Sequence, residues 1–323
     1  HARIYSFQMH YHFKIKPNHC RRLCHLPLVF LSKSWMMNLY KPVNFLSALL
    51  LVAMTLSGCA GVEDRRDDAW KLALRAGMDA QVIQEGAFAL QTFYRFGEDR
   101  GAAVSPPLRV YIEGDGFAWI SRYRVSPDPT PHNPVGLKLA VADRATSVIY
   151  IARPCQYIGV GSNPSCSQVY WTSHRFAREV IDSTNGVIDR AKKAAVAETV
   201  ELIGYSGGGA VAILAAARRS DVVNIRTVAG NLDHVTLHRK NNVSQLTGSL
   251  NAADVAAQLS EIPQIHFVGA DDDIIEPYVP ESYRSRARST ICIEIQKIPG
   301  ASHRSGWSNI WTNLLAIPLP NCK

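Results

Sequence analysis

Glu201-Leu202-Ile203-Gly204-Tyr205-Ser206-Gly207-Gly208-Gly209-Ala210-Val211-Ala212 carries the strongest local signal in the chain. An apolar, β-branched run over 199–203 feeds Gly-x-Ser-x-Gly, and an alanine-rich run over 210–217 follows at once. A strand, a sharp turn and a helix in that order hold a serine in a strained backbone conformation with its Oγ exposed. Glycines at 204 and 208 let strand and helix approach without a Cβ collision. The helix start aims free N–H groups and a partial positive charge at the same point. Ser206 therefore reads as a nucleophile. One rival is a plain glycine-rich helix start. The other, a phosphate loop, fails: no lysine follows the glycines and the dinucleotide-binding glycine spacing is absent.

The flanking sequence alternates in type. Helical spacing covers 70–85, 135–143, 173–194, 252–259, 278–288 and 307–316, whereas strand patterns cover 87–96, 108–113, 147–152, 222–228, 264–268 and 291–298. Strands interleaved with helices imply an α/β protein: a doubly wound, mainly parallel sheet with helices on both faces. Ligands of such sheets bind beyond the carboxyl ends of the strands, and the Gly- and Asp-rich turns of this chain fall at those ends.

A serine nucleophile needs a base, and the base needs an orienting acid. Downstream, a strand pattern closes on Gly269-Ala270-Asp271-Asp272-Asp273, and another closes on Gly300-Ala301-Ser302-His303. With the serine turn, these resemble the α/β-hydrolase superfamily, whose acid tends to lie in a Gly-x-x-Asp turn and whose histidine lies in a Gly-x-x-His turn after the last strand. The resemblance implies Asp272 as acid and His303 as base. Asp271 and Asp273 are rivals within the run. Asp233 is the alternative after the preceding strand, where some members carry the acid. The competing readings are a solvated Asp turn and a surface histidine.

An oxyanion hole needs two convergent N–H donors. Gly207 would supply one. Glu113-Gly114-Asp115-Gly116, after the early strand, resembles the His-Gly-Gly-Gly loop of esterases with Glu113 in the histidine's place. That match implies Asp115 N–H as the second donor, with Gly114 and Gly116 making the turn; a tight turn without a catalytic role is the alternative. Segments around Arg153-Pro154-Cys155-Gln156, Tyr170-Trp171, Gly230-Asn231-Leu232-Asp233 and Gly306-Trp307 resemble a group of exported bacterial α/β-hydrolases of uncertain substrate. Arg153, Gln156, Trp171, Asn231 and His234 follow strand ends, so each is a candidate for the pocket or for packing. No large apolar insertion suggests a lid.

The chain's net charge of +8 is concentrated at one end. Residues 1–58 hold seven Lys and Arg and no acid; beyond them 28 basic residues face 27 acidic ones. The basic balance therefore gives no support for nucleic-acid binding. An apolar run over 43–56, after Lys41 and before Leu56-Ser57-Gly58-Cys59, reads as a secretory signal and resembles a bacterial lipobox. The expected organisation is an upstream segment over 1–36 and a lipoprotein signal peptide over 37–58. A tether and helix over 59–86 and a hydrolase domain over 87–323 follow. Cys59 would carry the lipid and anchor the chain to a membrane of the cell envelope. Four cysteines then remain, an even number in an exported chain. Cys155 and Cys166 bracket a short loop and pair best; Cys292 and Cys322 would tie the last strand to the tail, with free buried thiols as the alternative. No clustered Cys or His suggests a metal, and the chemistry needs no cofactor. The sequence thus leads to an expected envelope serine hydrolase acting on a small acyl substrate, an ester by default. Its alternatives are an amide- or peptide-cleaving enzyme and a non-catalytic lipoprotein that binds through the same fold.

Overall fold

The computed structural model describes residues 61–97 and 105–322, all within one unit, Leu56–Lys323. The expectations for 1–60, Cys59 among them, lie outside the described residues. The elements in chain order are α1 (Val62–Arg75), β1 (Asp79–Glu85), β2 (Phe88–Phe96), β3 (Leu108–Ile112), β4 (Trp119–Ser121), β5 (Arg124–Val125), α2 (Val135–Ala142) and β6 (Ser147–Ile151). Two short 3-10 turns lead to α3 (Arg178–Ala194), β7 (Val200–Tyr205), α4 (Gly207–Ala216), β8 (Val222–Val228) and α5 (His234–Lys240). A 3-10 helix (Ala252–Leu259), β9 (Gln264–Gly269), α6 (Tyr278–Arg284), β10 (Ile293–Ile298) and α7 (Trp311–Leu315) complete the series.

Eight strands form the main sheet in the order β1-β2-β6-β3-β7-β8-β9-β10. β2 runs antiparallel to both of its neighbours, β1 and β6; the pairings from β6 to β10 are all parallel. The strand order reverses between β3 and β7: β3 leads outward to β6, while β7 leads the other way to β8. The reversal opens a crevice at the carboxyl ends of these two strands.

Alternate residues of each strand feed two separate cores. Leu108, Val110, Ile112, Val200 and Leu202 pack against α3, α4 and the 3-10 helix. Tyr111, Ile203, Tyr205, Ile265 and Phe267 pack against α1, α2 and α7. The period of two in a strand thus becomes helices on both faces. Helix α3 shows the matching helical period, burying Val180, Ile181, Thr184, Val187, Ile188 and Ala191 on one stripe, with Glu179 in its first turn and Lys192 and Lys193 in its last. Helix α4 is apolar all round and every one of its residues is buried.

The amino-terminal expectation requires correction. The helical pattern over 70–85 splits: α1 begins already at Val62 and stops at Arg75. Gly77, at φ 70°, reverses the chain, with the Gly77 and Met78 N–H groups donating to the Leu74 and Ala73 carbonyls. Residues 79–85 are then an edge strand. The sheet therefore starts before residue 87, and Ala69 and Ala73 of α1 are buried in its core. Helices expected over 173–194 and 278–288 are shorter, the 252–259 segment is 3-10, and the β4–β5 hairpin and α5 were not expected. Disulfides join Cys155 to Cys166 and Cys292 to Cys322. Among the described residues no helix is long and apolar enough to cross a membrane.

Candidate active site

Ser206 sits between β7 and α4 at φ 51° and ψ −120°, a conformation an L-residue rarely adopts. Three backbone bonds hold it there. Its N–H donates to the Val228 carbonyl at 2.9 Å, and its carbonyl accepts from Gly209 N–H at 3.0 Å and Asn231 N–H at 2.9 Å. Close approach explains the glycines: a Cβ at Gly204 would overlap the Gly208 carbonyl, and a Cβ at Gly208 would overlap the Ile112 and Glu113 carbonyls.

His303 follows β10 and brings Nε2 to 3.0 Å from Ser206 Oγ. Its Nδ1 lies 3.0 Å from Asp272 Oδ2. An ionised carboxylate only accepts, so Nδ1 carries the proton and Nε2 is left to accept from the serine hydroxyl. Asp272 is itself fixed: its Oδ1 accepts from Ile274 N–H at 2.9 Å and Ile275 N–H at 2.8 Å. Tyr205 OH donates to the His303 carbonyl at 3.0 Å and anchors the histidine loop. Asp271 and Asp273 are exposed on either side of the buried Asp272. Asp233 is engaged elsewhere. It caps α5 through Thr236 N–H, and its carboxylate also accepts from Thr236, Ser282, Asn251 and Arg286. Burial alone would raise its pKa; these donors hold it below the usual carboxylate value.

The loop after β3 lies across the nucleophile. A Cβ at Gly114 would come within 3.1 Å of Ser206 Cβ, and the Asp115 carboxylate packs on the Gly207 backbone. Gly116, at φ 69°, turns under the Pro129 carbonyl. Glu113 is fully buried and its carboxylate accepts from four donors: Gly114 N–H, Gly136 N–H, Leu137 N–H and Tyr150 OH. Burial raises its pKa against the opposing pull of those bonds. The Gly114 N–H is thereby occupied, whereas Gly207 N–H, at the first position of α4, has no carbonyl one turn back to bind. Asp115 pairs with both Arg153 at 3.1 Å and Arg175 at 2.7 Å. Burial alone would raise its pKa, but the two guanidiniums outweigh it and hold the carboxyl below its ordinary value.

A cavity of about 570 Å³ opens over Ser206 and His303. Its wall includes Phe117, Trp119, Ile120, His132, Asn133, Arg175, Ile274 and Arg304. None of the five residues left open between pocket and packing lines it. Arg153 is buried against Asp115 and its guanidinium also donates to the Arg175 carbonyl. Gln156 braces the loop through Nε2 to the Gly114 carbonyl, at 3.0 Å. Trp171 donates to the Ser126 carbonyl, Asn231 touches Ser206 through its backbone, and His234 is buried against Phe176. Arg304, Trp119 and Ile274 escaped the sequence reading because the wall draws on segments far apart in the chain. The basic residue beside His303 was the one local signal. Among the described residues no group of three or more His, Cys, Asp or Glu side chains converges as a metal site would require.

No family model matches the chain, and no curated protein matches it. Solved structures are similar. A Mycobacterium tuberculosis puromycin-hydrolyzing peptidase superposes with a TM-score of 0.51 at 13% identity, covering 74% of this chain and 37% of that one. Est1E from Butyrivibrio proteoclasticus superposes with a TM-score of 0.50 at 13% identity, covering 73% of this chain and 95% of its own. The chain thus spans well under half the length of the peptidase. At these identities the likeness is one of architecture, and the architecture is the α/β-hydrolase fold.

Proposed function

We propose that the chain is a serine hydrolase that cleaves carboxylic esters through an acyl-enzyme on Ser206. One observation carries the reading: a hydrogen-bonded relay from Ser206 Oγ through His303 to a buried Asp272, opening on a cavity. In this mechanism His303 Nε2 takes the hydroxyl proton as Oγ attacks the acyl carbonyl, and returns it to the leaving alcohol. Water then attacks the acyl-enzyme by the same route. Asp272 fixes the histidine tautomer and stabilises the imidazolium. The Gly207 and Asp115 N–H groups receive the oxyanion, since the Gly114 N–H is held by Glu113. An ester is the default because it is the easiest acyl bond for this machinery. Amide cleavage is the second reading, supported by the shared fold with the puromycin-hydrolyzing peptidase.

The proposal extends to location: an exported chain, lipidated at Cys59 and held at a membrane of the cell envelope. Support comes from the apolar run over 43–56 that leads through Ser57-Gly58 to Cys59 and from the two disulfides, which persist in oxidising compartments. The test of function is hydrolysis of short p-nitrophenyl esters. Wild type is expected to turn them over and Ser206→Ala to lose all but background; equal rates in the two would end the proposal. A panel of matched esters and amides separates the two readings.

A further inference from the structure

The cavity wall holds more positive charge than a plain acyl pocket needs. Apolar side chains such as Phe117, Trp119, Ile120 and Ile274 would suffice for an uncharged ester. Two arginines interrupt them. Arg304 follows the histidine directly; its carbonyl is fixed by Asn133 Nδ2 at 2.8 Å, and its side chain is exposed at the rim. Among the described residues no carboxylate lies within ion-pair distance of it. Arg175 is held rigidly by two bonds at 2.7 Å, Nε to the Thr172 carbonyl and Nη1 to Asp115. Its Nη2 has no partner among the described residues.

Local acids leave both arginines with donors to spare. Asp115 is one carboxylate shared between Arg175 and Arg153, which leaves that group one positive charge in excess. Glu113 also lines the cavity, but its carboxylate oxygens are taken up by the four donors already named and it forms no ion pair with either arginine. Arg304 and the Arg175 Nη2 therefore offer charged donors to an anion beside the apolar part of the wall.

Resting on the serine-hydrolase reading, we propose that the substrate is an ester bearing a carboxylate, held at Arg304 and at the free edge of Arg175 while Ser206 attacks the ester carbonyl. Arg304 meets the carboxylate as a charge-assisted hydrogen-bond donor, and Arg175 offers its guanidinium, fixed on Asp115 of the oxyanion loop, as a second.

The test compares kcat/KM for matched ester pairs. Mono-4-nitrophenyl glutarate against 4-nitrophenyl valerate places the charge on the acyl part, and 4-acetoxybenzoate against 4-acetoxybenzamide places it on the alcohol part. Wild type is expected to prefer the anionic member of at least one pair by about tenfold, the size of one charge-assisted hydrogen bond. Arg304→Gln, at an exposed and unpaired position, is expected to fold and to cut that preference about tenfold. Arg288→Gln, which removes the same charge outside the cavity, is expected to leave the ratio unchanged. Preference for the neutral ester in both pairs, or an unchanged ratio in Arg304→Gln, overturns the inference. Fluorophosphonate labelling of wild type, which involves no carboxylate, reports the serine chemistry separately. A labelled enzyme that prefers neutral esters thus defeats only the anion site, and an unlabelled one defeats the hydrolase reading itself.

Discussion

At the scale of single residues, burial distinguishes side chains that the sequence leaves equivalent. Three aspartates stand in a row at 271–273, and no pattern within the run separates them. The turn buries the middle one, where two backbone N–H groups fix its carboxylate against His303. Asp233 is buried too, but its partners make it a helix cap and a tie between α5, α6 and the 3-10 helix. The two residues therefore fail in different ways when neutralised. Asp272→Asn is expected to lower kcat by about 10³–10⁴, because the amide favours the wrong histidine tautomer, while the unfolding midpoint moves little. Asp233→Asn is expected to keep kcat per folded molecule and to lower stability by about 1–2 kcal/mol, through its hydrogen-bond network and the loss of the ion pair with the exposed Arg286. Ester kinetics beside urea unfolding of both variants checks this; the reverse pattern would move the acid to Asp233.

At the scale of elements, the site depends on how closely α4 packs on β7 and on the end of β3. Gly208 is the tightest point, since a Cβ there would strike two backbone carbonyls that have no rotamer to yield. Gly208→Ala is expected to lose at least about 2 kcal/mol of stability and most of the activity, read from a denaturant midpoint and from ester turnover. A variant of normal stability and rate would mean that the elbow is looser than described. The same turn was the most legible element in the sequence, because strand, glycines and helix each leave a local mark. The amino-terminal helix was less legible. Its apolar spacing continues through 79–85 into an edge strand, and only Gly77 marks the break. The β4–β5 hairpin left still less trace: it carries exposed Trp119 and Ile120 on β4 and Tyr123 in its turn rather than an alternating buried face.

At the scale of the molecule, the alternation of strands and helices carried the architecture, but the cavity wall was out of reach. Its residues come from separated segments around 113–120, 131–133, 175, 205–206, 274 and 303–304, and only the folded sheet brings them together. The same packing sets a dependence on pH. His266, within β9 and fully buried, is held neutral, with burial pushing its pKa down to about 3 and Arg284 adding to the effect. In the unfolded chain it protonates near its ordinary value of 6.5. Between those values the unfolded state binds the extra proton, so stability falls as pH drops, by up to about 1.4 kcal/mol per unit from this residue. His266→Gln is expected to flatten the loss of stability between pH 6.5 and pH 4.5 in urea titrations; an unchanged slope would remove His266 from the account. All these layers converge on the reactivity of one hydroxyl. The most direct measurement is mass spectrometry of the protein after treatment with a fluorophosphonate. The account predicts a single adduct, on the peptide that contains Ser206, and none in Ser206→Ala. No adduct on wild type, or the same adduct in the variant, would contradict it.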